Sequence, residues 1–179
     1  SLHTLSLENV PEDELGNGYE YLIKKFADLT NKKAGEFYTP RPVVRLMVNI
    51  LDPHEGETIY DPGCGTGGFL AQAYEHVAGR LRAGDDDTGL QFTELKERSL
   101  WGREKENLIY PIALANLVLH GVNQPNLWHG NTLTGDEIYG GRFERAPQTF
   151  DVILTNPPFG GKESKAAQTR FAYKTSATQ

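Results

Sequence analysis

Residues 58–69, TIYDPGCGTGGF, decide the fold, because a short β-type run there leads into a glycine-rich turn and then into helical spacing. Residues 58–60 are β-branched or aromatic, which strands favour, and the run stops at Asp61-Pro62. The pattern G-x-G-x-x-G is completed by Gly63, Gly65 and Gly68. Strand, glycine turn and helix in this order predict a ligand site at the carboxyl edge of an open α/β sheet.

The carboxylate of Asp61 indicates which kind of ligand this turn suits. A dinucleotide places its pyrophosphate at the helix N-terminus, where an adjacent carboxylate would repel it. A cationic or zwitterionic ligand is therefore favoured, and S-adenosylmethionine fits because its sulfonium and amino groups carry positive charge. A glycine connection that binds no ligand remains the alternative.

A second carboxylate, Glu104, follows the second predicted strand, Leu100-Trp101-Gly102. This is the usual place for a carboxylate that accepts both ribose hydroxyls, although a purely structural role remains open. The polar stretch 79–98, predicted as an inserted surface loop or small helix, separates Glu104 from the turn. Cys64 has no histidine or other base nearby in sequence, which favours packing over a nucleophilic role.

The remaining pattern alternates helices with strands. A lead-in helix is predicted from near Gly18 to 33–35, and a second helix from Thr39 as N-cap and Pro40 in its first turn to Asp52-Pro53. Later elements are a helix over 106–120 stopped by Gly121, a strand at 126–129, a loop through Gly140-Gly141 and a buried strand at 150–155. The pattern predicts an α/β fold with a Rossmann-like, doubly wound parallel sheet, preceded by helices.

The bulk composition sets limits on function. The 179 residues suffice for one domain, and no run approaches the roughly 18 apolar residues of a membrane span, so we expect a cytoplasmic protein without membrane contact. The net charge of -6 argues against a strong grip on DNA by this chain alone. The acidic run 85–87 and the basic segment 162–179 are interpreted as a solvated loop and tail.

The strand at 150–155 stops at a rigid corner, Asn156-Pro157-Pro158-Phe159, because neither proline can donate to a sheet. The Asn156 side-chain carbonyl and the Pro157 backbone carbonyl form two fixed acceptors, which suit an NH2 group and aim its lone pair at a methyl donor. Phe159 can stack on a base swung out of a duplex. This chemistry needs no metal and no covalent enzyme intermediate. A simple strand-ending turn remains the alternative.

These motifs, taken in order, resemble those of a known family. The set comprises GEFYTP at 35–40, Asp61 to Phe69, Glu104, His120-Gly121, Gly130-Asn131-Thr132-Leu133 and Asn156 to Phe159. Over 35–161 the chain resembles the adenine-specific amino-methyltransferases of DNA, and its motif order looks like that of the modification subunit of type I restriction-modification systems. The resemblance divides the chain into a helical lead-in (1–34), a partial catalytic core (35–161) and a basic C-terminal segment (162–179).

The resemblance implies S-adenosylmethionine as cofactor and the N6 amino group of a flipped adenine as methyl acceptor. Its implied cofactor-binding residues are Phe37, Tyr38, Thr39, Pro40, Asp61, Gly63, Gly65, Thr66, Gly68, Phe69, Glu104 and Asn131, and its catalytic residues are Asn156, Pro157, Pro158 and Phe159. Asn131 stands where the family more often has Asp, and it would accept the adenine amino group of the cofactor more weakly. The implied partners are double-stranded DNA, a specificity subunit, a restriction subunit and a second methyltransferase subunit.

Two expectations and two rival functions accompany this interpretation. Family members continue well past the corner, so we expect a fragment that is inactive alone, with an unpaired sheet edge at the strand 150–155. A glutamine-amide methyltransferase acting on protein is one rival, because a side-chain amide also offers NH2. A noncatalytic cofactor-binding or assembly subunit is the other. The Phe-Tyr-Thr-Pro and Gly-Asn-Thr-Leu elements favour DNA as the substrate.

Overall fold

The fold is given by a computed structural model that describes residues 14–16, 18–19, 21–23, 25, 38–84, 89–139 and 141–159. Its helices are α1 (Arg41–Leu51), α2 (Gly68–Ala83), α3 (Gly89–Glu94) and α4 (Tyr110–Leu119). Its strands are β1 (Ile59–Asp61), β2 (Leu100–Glu104), β3 (Asn126–Asn131), β4 (Asp136–Tyr139) and β5 (Val152–Ile153). A π-helical turn, Leu95–Ser99, precedes β2, and a 3-10 turn, Gly141–Arg145, follows β4.

The strands form one sheet in the order β4-β3-β2-β1-β5, in which β1 pairs in parallel with both β2 and β5. The chain builds outward through β2 and β3 and then returns to the other side of β1. This reversal is the signature of a doubly wound sheet, and it leaves a crevice at the carboxyl end of β1. The predicted α/β, Rossmann-like class is confirmed.

One face of the sheet packs against α1, α2 and α4. Strand alternation sends Ile59, Leu100 and Leu127 to this face, where all three are buried. The helices bring to the same core cluster the residues Val44, Val48, Phe69, Leu70, Ala73, Tyr74, Val77, Ala113 and Leu117. This core fixes α2, and with it the glycine turn that leads into α2.

The opposite face carries an aromatic cluster. Tyr60 lies 4.4 Å from the ring of Phe150 in a stacked pair, and Trp101 meets Phe143 of the 3-10 turn edge-on at 5.7 Å. The guanidinium of Arg103 lies 4.5 Å above the Trp128 ring. Both faces of the central strands are therefore covered, as a parallel sheet requires.

Helix α1 begins differently from the prediction. Its N-cap is Pro40 rather than Thr39, it has no side-chain cap, and the first-turn proline is Pro42. The Pro40 carbonyl accepts the first helical hydrogen bonds, from the Val43 and Val44 N–H groups at 2.9 and 3.2 Å, and the Thr39 hydroxyl instead accepts one from the Asn156 amide nitrogen at 3.2 Å. The end of α1 at Asp52-Pro53 is confirmed, with Asp52 in the left-handed region at φ 48.

The sheet differs from the prediction at both of its outer strands. The loop predicted through Gly140-Gly141 contains β4, which turns back on β3 through a tight turn where Gly135 has φ 71. The strand predicted at 150–155 reduces to Val152–Ile153, and it is not fully buried, since Ile153 is 57% exposed. Before this strand, Asp151 contacts Thr58 through its side chain. The Asp151 carboxylate accepts hydrogen bonds from the Thr58 backbone N–H and hydroxyl, at 2.8 and 2.7 Å.

The helix boundaries also shift. Residues 14–16 are already helical, ahead of the predicted start near Gly18, while the predicted end at 33–35 lies outside the described residues. Helix α4 starts at Tyr110 and is stopped by Gly121 as predicted, at φ 87. The stretch 79–98 contains the end of α2 and the small helix α3. The runs 85–87 and 162–179 are outside the described residues, and no helix within the described ranges is long and apolar enough to cross a membrane.

Candidate cofactor and target-amine site

The glycine turn after β1 adopts a conformation that glycine makes possible. Gly65 and Gly67 lie in the left-handed region, at φ 53 and 79. The turn is closed by the Gly67 N–H, which donates to the Cys64 carbonyl at 2.8 Å, and it is tied to β2 by the Cys64 N–H, which donates to the Arg103 carbonyl at 2.8 Å. The backbone of the turn is therefore held by its own hydrogen bond and by β2.

Two side chains that were not among the predicted site residues also hold this turn. The amide nitrogen of Asn116, a fully buried residue of α4, donates to the Thr66 carbonyl at 3.0 Å. The Thr132 hydroxyl donates to the Pro62 carbonyl at 2.6 Å. Asn116 could have been found as the lone amide in the otherwise apolar run YPIALANLVL, since a buried amide needs partners.

Asp61 lies at the carboxyl end of β1 with 1% of its surface exposed. Its Oδ1 accepts a hydrogen bond from the Gly63 N–H at 3.1 Å, but burial dominates and raises the pKa of this carboxyl to about 7. A positively charged group beside Asp61 would offset the desolvation of the carboxylate. The residue therefore suits a cationic ligand.

Glu104 lies at the end of the neighbouring strand β2 and contacts the same turn. Its Oε2 accepts a hydrogen bond from the Gly65 N–H at 2.9 Å, and its Oε1 accepts one from the Glu106 N–H at 2.8 Å. Burial raises the pKa of this carboxyl as well. Each carboxylate oxygen has a second lone pair, so Glu104 can support the turn and still accept ligand hydroxyls.

Side chains from three distant segments line one cleft at this edge of the sheet. The lining residues are Tyr38, Thr39, Asp61, Gly63, Cys64, Gly65, Thr66, Gly68, Phe69 and Asn156. Burial raises the pKa of the Cys64 thiol well above its usual value, so the thiol stays protonated and Cys64 acts as a small packed side chain. The predicted cofactor turn and the predicted target-amine residue thus face the same space.

The Asn156 corner begins at this cleft. The Asn156 amide nitrogen donates to Thr39 Oγ1 at 3.2 Å, which orients the side chain and leaves its carbonyl oxygen to act as the acceptor toward a ligand. Pro157, Pro158 and Phe159 are exposed, and the Phe159 ring is 91% exposed. The three do not line the cleft.

Other predicted residues lie apart from the cleft lining. Phe37 is outside the described residues, and Pro40 is exposed at the N-cap of α1. Asn131, at the end of β3, uses its Oδ1 to accept a hydrogen bond from the Leu133 N–H at 2.9 Å, so this oxygen stabilises the local turn. Among the described residues, no group of three or more His, Cys, Asp or Glu side chains could hold a metal ion.

The chain matches the N-6 DNA methylase family over residues 10–179. It is 40% identical over 158 residues to the type I restriction enzyme EcoEI methylase subunit of Escherichia coli, covering 87% of this chain and 29% of the relative. It is 34% identical over 168 residues to the StySPI methylase subunit of Salmonella potsdam, covering 93% and 31%.

A solved structure of the type I restriction-modification system superposes with a TM-score of 0.77 at 36% identity, covering 95% of this chain and 33% of that chain. The chain thus spans about a third or less of the length of the relatives that it matches. Motif order, fold and these likenesses agree with one another, and they confirm the resemblance drawn from the sequence. The chain belongs to the N-6 DNA methylase family and is similar to the methylase subunits of type I restriction enzymes.

Proposed function

We propose that the protein containing this chain is an S-adenosylmethionine-dependent DNA adenine-N6 methyltransferase, the modification subunit of a type I restriction-modification complex. One observation carries the proposal: Asp61 at the end of β1 and Asn156 beyond β5 line one cleft with the glycine turn. A site for a positively charged methyl donor and an acceptor for an NH2 group therefore adjoin each other. Methyl transfer to an amino group requires this juxtaposition.

The cofactor side of the proposed site fits the residues present. Asp61 would receive the positive charge of the cofactor, and the ionised form of its carboxyl would then be favoured despite burial. Gly63, Gly65 and Gly68 would let the cofactor approach the backbone, and Glu104 would accept the ribose hydroxyls. The remaining contacts are proposed from Phe37, Tyr38, Thr39, Pro40, Thr66, Phe69 and Asn131.

The target side would orient the nucleophile. The adenine amino group would donate to the Asn156 side-chain oxygen and the Pro157 carbonyl, while the exposed Phe159 ring stacks on the flipped base. Pro158 would keep the corner rigid. Held by Asp61 and the glycine turn, the cofactor would supply an electrophilic methyl group, which the adenine amino nitrogen would accept while its proton leaves to solvent. Alignment by Asn156 and the turn would supply most of the rate.

The proposed partners follow from the relatives, which are named as subunits of type I restriction enzymes. We propose double-stranded DNA, a specificity subunit, a restriction subunit and a second methyltransferase subunit, in the cytoplasm. The net charge of -6 supports DNA binding that depends largely on the partner subunits. We retain residues 35–161 as the proposed catalytic core, between a lead-in (1–34) and a basic segment (162–179). The same relatives favour DNA over a glutamine-amide substrate and methylation over a noncatalytic role.

Replacement of Asn156 tests the proposed function. In the full-length protein with its partner subunits, Asn156→Ala removes one acceptor for the target amine, so methylation of DNA should fall by about 100-fold or more. Cofactor binding should stay nearly intact, because the turn and Asp61 are untouched and Thr39 loses only the hydrogen bond that it accepts from Asn156. Tritium transfer from labelled cofactor to DNA and calorimetric binding measure the two effects. The exposed Asn123→Ala variant is the matched control and should change neither. Loss of methylation together with loss of cofactor binding would contradict the assigned role.

A further inference from the structure

A charged network lies behind the cleft, centred on Glu75 of α2. Glu75 Oε1 is 3.2 Å from His120 Nε2, at the end of α4, and 3.9 Å from Arg41 Nη2, at the start of α1. The other carboxylate oxygen, Oε2, accepts a hydrogen bond from the Gln72 amide at 3.3 Å. One carboxylate therefore joins the three helices that pack on the sheet.

The contacts of His120 indicate its protonation state. Its Nδ1 lies 2.8 Å from the Asn116 backbone carbonyl, which can only accept, so Nδ1 carries a hydrogen. Its Nε2 lies 3.2 Å from Glu75 Oε1 in an ion-pair contact that does not have the geometry of a hydrogen bond. A hydrogen on Nε2 as well, as in an imidazolium, would make the contact with the Glu75 carboxylate attractive.

The imidazole is shielded from water. Its side chain is 1% exposed, and a buried cation is costly unless it is paired. Gly16 lies directly against the ring, since a Cβ placed there would be only 2.4 Å from the His120 Cε1. The helical residues 14–16 can approach this closely because residue 16 is glycine. Burial strengthens the attraction between His120 and Glu75.

The network reaches the cleft from two directions. Arg41 is separated by one residue, Pro40, from Tyr38 and Thr39, which line the cleft on one side. His120 Nδ1 is hydrogen-bonded to the backbone carbonyl of Asn116. The side-chain amide of Asn116 donates in turn to the Thr66 carbonyl of the glycine turn, at 3.0 Å. Both sides of the cleft are therefore connected to Glu75.

We propose that Arg41, Glu75 and protonated His120 form a positioning unit that sets the spacing between the Tyr38-Thr39 side of the cleft and the glycine turn, and so controls cofactor affinity. The inference rests on the proposed function, because the cleft is taken as the cofactor site. None of the three residues touches the cleft. They act through Thr39 and Thr66, which do.

Substitutions in the full-length protein test this unit. Glu75→Gln keeps the shape but removes the charge, and the Kd for S-adenosylmethionine should rise about tenfold. Because loss of a buried partner can unfold a protein, Arg41→Gln provides a milder second variant, expected to raise Kd about threefold, and Arg41→Lys should restore most of the affinity. The control is the exposed Glu94→Gln in α3, which should leave Kd unchanged. Calorimetry measures Kd, and circular dichroism verifies folding.

A second measurement is independent of cofactor. Nitrogen NMR of the ring of His120 should show both nitrogens protonated at neutral pH in the unaltered protein, and one of them deprotonated in Glu75→Gln. The positioning unit alone is overturned if the unaltered protein binds cofactor and if Glu75→Gln and Arg41→Gln bind it with the same Kd. It is also overturned if His120 is neutral in the unaltered protein. Failure of the unaltered protein to bind cofactor overturns the proposed function as well.

Discussion

At the scale of single residues, the carboxyl group of Asp61 is buried beneath the turn that would hold the ligand. Burial raises its pKa to about 7, so near neutral pH the group exchanges between its acid and its ionised form. In the unfolded chain the same group has its ordinary pKa, near 3.8. The difference makes the stability of the fold depend on pH.

The sign of this dependence follows from the proton balance. Below pH 4 both states hold the proton, whereas between pH 4 and 7 the unfolded chain releases it and the folded chain keeps it. Stability therefore falls as pH rises through this window, by an amount on the order of 4 kcal/mol for Asp61. Asp61→Asn should flatten the decline and raise stability at pH 7.5. Urea unfolding at pH 5 and 7.5 measures both effects.

Glu94→Gln is the control for this pH experiment, since Glu94 is an exposed carboxyl in α3 and should leave the pH dependence unaltered. Glu104 also has a raised pKa and contributes in the same direction, so Asp61→Asn should leave a residual decline. If the stability of Asp61→Asn declines with rising pH as steeply as that of the unaltered chain, groups other than Asp61 cause the pH dependence.

At the scale of elements, the close approach of β2 to α2 depends on one glycine. A Cβ on Gly102 would lie 2.5 Å from Leu127 Cδ2 and 2.8 Å from Leu70 Cδ1, and both leucines are buried. Gly102→Ala should therefore destabilise the chain by about 1–3 kcal/mol, because the core must repack. Urea unfolding measures the change.

Gly79 is the matched comparison for Gly102. It is exposed within α2, and an added Cβ would meet nothing within 4 Å. Gly79→Ala should thus stabilise the chain by about 0.5–1 kcal/mol through helix propensity. Equal effects of the two alanines would show that propensity, and not packing, dominates at both positions.

The elements that sequence reasoning predicted well are those whose signals are local. The β1–turn–α2 unit is defined by adjacent residues, and Asp61, Gly63 and Gly65 lie where the pattern placed them. Thr39 was wrongly taken as an N-cap, and its hydroxyl contacts Asn156, which is 117 residues away. The start of the strand at 150–155 was wrong for a similar reason, since Asp151 binds Thr58 across 93 residues. Periodicity within a segment carries no information about such distant partners.

At the scale of the whole molecule, β5 forms one margin of the sheet. Within the described part of the chain it pairs with β1 and no other strand, and its Ile153 side chain is 57% exposed. An apolar strand with one open edge promotes association between copies. We expect the isolated 179-residue chain to unfold at low temperature or to self-associate. Light scattering and thermal denaturation measure this directly.

Ile153→Lys should reduce that association, because charge on an edge strand disfavours pairing with another edge. The variant is expected to elute as a smaller species at the same concentration. A monomeric unaltered chain with a cooperative transition at high temperature would contradict the predicted weakness of this edge.

The position of β5 beside β1 has a consequence for how the protein is made. Because β1 is joined to β5 across 93 residues, the ribosome must deliver nearly all of the described chain before the two strands can pair. A nascent chain that has completed β3 already holds the glycine turn, but it still lacks Asn156. Contacts of such long sequence separation form late and slowly. A ligand that contacts both sides of the cleft therefore cannot stabilise the early stages of folding. It would bind only to a chain in which the central strands have already assembled.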